Sequence, residues 1–150
     1  MSAFEVRLFD DDAAIVAIGE GLLSALLPRA EWTHEAHLAA CSWLVRERGD
    51  IDIERELPAI ISAYNVAAGG VNDDRQGYHE TITQVYIRAV KAHLASVGVD
   101  MPLYKAVNAL LLSERGSRDF PLRFYSKELL FSVAARRAFV QPDRTGFAQI

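Results

Sequence analysis

One cysteine in 150 residues, Cys41, leaves no partner for an intrachain disulfide and no set of thiols for a Cys-rich zinc module, which suits a reducing compartment. Neither sign of charge dominates. Lys and Arg number 16 against 20 Asp and Glu, a net charge of -4 that offers no broad attraction for nucleic acid or an anionic membrane. Nowhere do about 18 apolar residues run together, so no membrane span is expected. The opening MSAFEVRLFDDD has no basic segment followed by an apolar run and does not read as a secretion signal. Gly-rich phosphate loops of either common pattern are missing, as are internal repeats, low-complexity tracts and linkers. The expectation is a single cytoplasmic domain over residues 1–150, with neither nucleic acid nor membrane as partner.

What is present is an apolar fraction of 51% beside 24% charged residues, enough to build one core. Apolar residues recur at spacings of three and four, and strand-like alternation is confined to Phe4, Val6 and Leu8. An all-α, compact bundle of about six helices follows. The first starts after Asp10 to Asp12, buries Ile15, Ile18, Leu22 and Leu26, and ends at Pro28. Thr33 caps the second, whose stripe is Leu38, Cys41, Leu44 and Val45 and whose left-handed terminator is Gly49. A third carries Ile53, Leu57, Ile60, Ile61 and Tyr64, with Pro58 kinking it or starting a new helix. A fourth runs from near Tyr78 to Val97. A fifth opens at Asp100 and Pro102 and closes at Gly116, and Ser126 caps a sixth. The tail from Gln141 is irregular.

The stretch EWTHEAH, Glu31 to His37, puts two histidines near a helix start. With each residue turned about 100° from the last and Leu38 at zero, His34 falls near about -40° and His37 near about -100°, inside the apolar arc. Glu35, at roughly +60°, lies at its margin. On the fourth helix His79 falls at about +60° from Ile82, toward the stripe, whereas Glu80 lies at about 160°, away from it. His93 is roughly 21 Å along the axis from His79 and cannot share a compact site with it. Three imidazoles at two helix starts meet only if those starts lie at one end of the bundle. Such a trio could hold zinc, or another divalent metal suited to imidazole, with an open position for water or substrate. Glu31 or Glu80 could complete the site or act as its catalytic carboxylate.

The spacing excludes a familiar alternative. His34-Glu35-Ala36-His37 is one residue short of H-E-x-x-H, so it does not put two zinc ligands one turn apart with a glutamate between them. Glu31-Trp-Thr-His34 matches the Glu-x-x-His of carboxylate-bridged di-iron bundles, but no second copy occurs. Each histidine also has a plain reading as a partly buried side chain bonded to backbone, which is how His93 is read. Trp32 reads as a hydrophobic staple or a pocket wall. Trp43 lies opposite its helix's stripe, where it packs on a neighbouring helix or on a second copy in a homo-oligomer. Arg136, Arg137 and Arg144 read as a solvated basic face, and Tyr78 and Tyr125 as core.

EWTHEAH, together with GYHETIT at 77–83 and FYSKELLFSVAAR at 124–136, resembles a family of small, uncharacterised bacterial all-helical proteins. The resemblance spans most of the chain and carries no activity with it. It implies that His34, His37, His79 and Glu80 belong together. Three functional readings remain: a metal site acting on a small molecule through activated water, a metal-free ligand-binding or acid-base protein, and an interaction protein with structural histidines.

Overall fold

The computed structural model describes residues 5–150. It contains α1 (Asp12–Ser24), α2 (His34–Glu47), α3 (Ile53–Ala67), α4 (Glu80–Val97), α5 (Leu103–Leu111), α6 (Lys127–Leu130) and α7 (Val133–Arg137), with 3₁₀ turns between them, and no strand occurs among the described residues. The fold is all-α. It has one helix more than the periodicity counted, because Ser132 caps a new one: its hydroxyl accepts the Ala135 amide two residues after α6 ends. Of the three alternating residues, Phe4 lies outside the described residues, while Val6 and Leu8 are exposed. No helix among the described residues is long and apolar enough to cross a membrane.

Helix starts follow local chemistry. Asp11 accepts the Ala14 amide at the head of α1 and Thr33 the Ala36 amide at the head of α2, each relieving one orphan donor. Helix ends follow it less closely. Helix α1 stops at Ala25, in the left-handed region at φ 60°, well before Pro28, which leaves Leu26 80% exposed rather than in the stripe. Helix α2 is closed by Arg48 at φ -120°, without a left-handed Gly49. Helix α5 ends at Leu111, five residues short of Gly116.

Pro58 sits inside α3 without breaking it. A proline there withholds the amide that would bond to Glu54 four residues earlier. That carbonyl instead accepts the side-chain amide of Gln84 on α4 at 3.2 Å, so the missing bond is supplied from a neighbouring helix.

The main core is shared by α1 to α5, with Ile15, Leu22, Leu38, Leu44, Val90 and Leu110 almost fully buried. A smaller cluster of Val85, Ala89, Phe120, Phe124, Tyr125 and Leu130 joins α4 to the C-terminal third. Helices α1 and α2 approach closely at Gly19, where an added Cβ would stand 2.1 Å from Cε3 of Trp43. Trp43 is 6% exposed and is therefore packed inside its own chain, not on a face open to a second copy. The N-terminal segment is tied down by Asn108, which accepts the Phe9 amide at 2.8 Å and donates to the Phe9 carbonyl at 2.9 Å. The C-terminal arginines serve the same end. Arg136 donates to the carbonyls of Gly77 and Tyr78, Arg137 pairs with Asp74, and Arg144 donates to Leu122.

Candidate functional site

The first turns of α2 and α4 border one cavity, the juxtaposition that the histidine pattern required. The cavity measures about 380 Å³ and its wall is mainly apolar: Leu22 of α1, Leu38 of α2, Leu57 and Ile61 of α3, and Ile82 and Ile87 of α4. Its polar wall consists of His34, His37, Cys41, Thr83, Tyr86 and Arg118, with Trp32 beside them.

The His34 ring bonds through Nε2 to the Gly116 carbonyl at 2.8 Å. A carbonyl only accepts, so Nε2 carries the hydrogen and, in the neutral ring, Nδ1 carries the lone pair. Gly116 itself packs against the end of α5, where a Cβ would stand 2.1 Å from the Leu110 carbonyl oxygen. His37 is the mirror case. Its Nδ1 donates to the Thr33 carbonyl at 2.6 Å, leaving the lone pair on Nε2. Trp32 stacks on this ring with centroids 3.7 Å apart, and Tyr64 meets Trp32 edge-on at 5.3 Å. Tyr86 stands edge-on to His34 at 5.6 Å.

Both rings are held neutral. Burial lowers His34 below its usual value and the Arg118 charge adds to this, against the opposing pull of the Gly116 carbonyl and Glu35. For His37 burial is again the leading cause and brings it to about 4, while the Thr33 carbonyl pulls the other way. His37 is an exposed residue, and the protein packed around its ring nevertheless disfavours charge. The Cys41 thiol, on the same wall, is pushed by burial up to about 12 and stays protonated.

His79 does not join them. It is the N-cap of α4, with φ -133° and ψ 109°, so a helical projection does not give its direction. Its Nδ1 accepts the Ile82 amide at 3.1 Å and its Nε2 donates to the Leu130 carbonyl at 2.7 Å. With both nitrogens engaged, the ring has no lone pair left for a metal. Glu80 begins α4 and is also off the cavity wall, accepting the Tyr78 hydroxyl at 2.5 Å and the Gln84 amide at 3.3 Å. Glu31, in the 3₁₀ turn Arg29–Glu31, is exposed and away from the histidines' cavity. His93 bonds through Nε2 to the Ala106 carbonyl in the core. Among the described residues no group of three or more His, Cys, Asp or Glu side chains is placed to hold a metal ion. The donor set therefore does not fit the zinc site that three imidazoles would have made.

Three residues at this place are not evident from sequence alone. Glu35 is 3% exposed, with Oε2 3.5 Å from the Arg7 amide, Oε1 without a hydrogen bond, and the Arg118 guanidinium 3.7 Å away. Burial raises its carboxyl, yet its own first-turn amide, the Arg7 amide, Arg118 and His34 together outweigh that and hold it below the ordinary range. Arg118 links this carboxylate to the cavity wall. Tyr86, on α4, lines the cavity and donates its hydroxyl hydrogen to the Ser117 carbonyl at 2.5 Å. Glu35 had one legible sign, its acidic character in a first helical turn; its burial depends on residues 7 and 118, remote in the chain. Compared with known proteins, the chain matches no family model, no curated protein and no solved structure.

Proposed function

We propose that this chain binds a small organic molecule in the cavity between α2, α3 and α4, and that His34 and His37 meet it as neutral imidazoles without a metal. The supporting observation is the pair of ring tautomers. Each imidazole has one N–H fixed on a backbone carbonyl, which leaves one lone pair on each of two residues that line a mainly apolar cavity. A cavity of about 380 Å³ falls within the size range of small-molecule sites, and a few polar groups in an apolar wall are their usual composition. A neutral imidazole lone pair can accept a hydrogen bond or take a proton, so the same arrangement serves binding or general-base chemistry. Holding His37 near 4 makes it a weak base, which favours the binding role.

The test is a fragment screen by NMR, repeated after dialysis against a chelator and on His37→Phe. Expected are fragments whose shifts cluster on Trp32, His37 and Tyr86, with affinities unchanged by the chelator and weakened in the variant. No fragment at this cavity, or a stoichiometric metal that leaves with His34→Ala, would overturn the reading.

A further inference from the structure

The hydrogens on the cavity wall restrict what the ligand can be. Tyr86 has its hydroxyl hydrogen on the Ser117 carbonyl, and Thr83 has its own on the His79 carbonyl one turn back, at 2.8 Å. What both residues have left for a ligand is oxygen lone pairs. His34 and His37 are in the same state, because their hydrogens lie on the carbonyls of Gly116 and Thr33. Four residues of the cavity wall, from two helices, thus have acceptors left, beside the indole N–H of Trp32 and the Cys41 thiol as donors. Among the described residues the only charged side chain on the wall, Arg118, is held beside the buried carboxylate of Glu35.

We infer that the ligand is a neutral hydroxyl compound with an apolar body, an alcohol or phenol, recognised through the hydrogen it donates to His37 or His34. The inference rests on the functional reading above and narrows it to a substrate class. A carboxylate has no hydrogen to give. It would set its negative oxygens against imidazole, phenol and threonine lone pairs and compete with Glu35 for the guanidinium. An ammonium could donate, but it would enter beside Arg118 and lose its hydration in an apolar space. A hydroxyl meets neither objection. Its hydrogen satisfies one imidazole, its oxygen can still accept, and the aliphatic and aromatic wall takes the rest of the molecule.

The experiment titrates the intact protein with three matched probes, 4-methylphenol, 4-methylanisole and 4-methylbenzoate, reading affinity by calorimetry and ring nitrogens by long-range ¹H–¹⁵N correlation. The phenol is expected to bind at least about tenfold tighter than the ether, with the carboxylate weakest, since a site built around a ligand hydrogen leaves its acceptor unpaired without it. On phenol binding, the unprotonated nitrogen of His37 or His34 should shift as it accepts the hydrogen bond. His37→Phe, which keeps a ring under Trp32, should weaken the phenol more than the ether and so narrow the gap between them. Equal binding of phenol and ether, or tighter binding of the carboxylate, overturns hydroxyl recognition while leaving the cavity a ligand site. Failure of all three probes to bind overturns the functional reading and the inference together.

Discussion

The indole of Trp32 lies over the imidazole of His37, with centroids 3.7 Å apart and planes 28° from parallel. Trp32 is therefore a wall of the cavity and a cover for the ring whose charge is most strongly disfavoured. The Thr33 carbonyl beneath fixes one nitrogen, and the indole above fixes the plane. Ring orientation here is set by two groups adjacent to one another in the chain.

If burial by its neighbours is what holds His37 near 4, taking away the indole should release it. In Trp32→Ala the His37 titration is expected to move up toward the ordinary 6.5, followed by NMR of the ring protons. A ring that still titrates near 4 would mean that the indole does not contribute to the effect.

Stability should follow pH in a definite direction. All four histidines have lowered values in the folded chain, so below about 6.5 the unfolded chain binds protons that the folded chain refuses. Unfolding free energy is then full above 6.5 and declines as pH falls toward 4. Urea denaturation across that range should show the decline, and His37→Phe should flatten it. A curve that rises on acidification would contradict the assigned neutral states.

Glu35 acts on His34 through its charge, supporting the protonated form. Glu35→Gln keeps the shape and removes the charge, so His34 should titrate lower still. Stability should fall by on the order of 1 kcal/mol, toward the small end for a broken pair because Arg118 is nearly half exposed. NMR titration of His34 in the variant checks the sign, and an upward shift would count against the coupling.

His79 is expected to matter for folding and not for the cavity. His79→Ala loses a helix cap and a buried hydrogen bond, together about 2 kcal/mol, while His79→Asn retains the cap and loses about half of that. Binding of 4-methylphenol should be unaltered in either variant once folding is accounted for. Loss of that binding in a folded His79→Asn protein would return His79 to the site.

The histidines show how far periodicity reaches. His34 and His37 lie within α2, where rotation per residue is constant, and both border the cavity, His34 half-buried and His37 exposed. His79 lies one residue before α4, in extended backbone, so the same arithmetic assigns it a direction it does not have. Leu26 fails in a related way: the helix that would have placed it in the stripe has already ended at Ala25. Trp43 is the opposite case. Its angle away from the stripe is right, but Gly19 on α1 leaves room for the ring, and the side facing away from one neighbour is buried against another.

The sequence by itself determined the helical class and most helix starts, because caps, dipoles and the rotation per residue act within a few neighbours. Tertiary structure alone decided which nitrogens of His34 and His79 are occupied and where the Glu35 carboxylate finds its cation. The carbonyl of Gly116, the chain near Leu130 and the guanidinium of Arg118 are distant in sequence from the rings or carboxylate they meet. A hydrogen bond is used up by whichever partner the fold brings within about 3 Å, and no local rule names that partner.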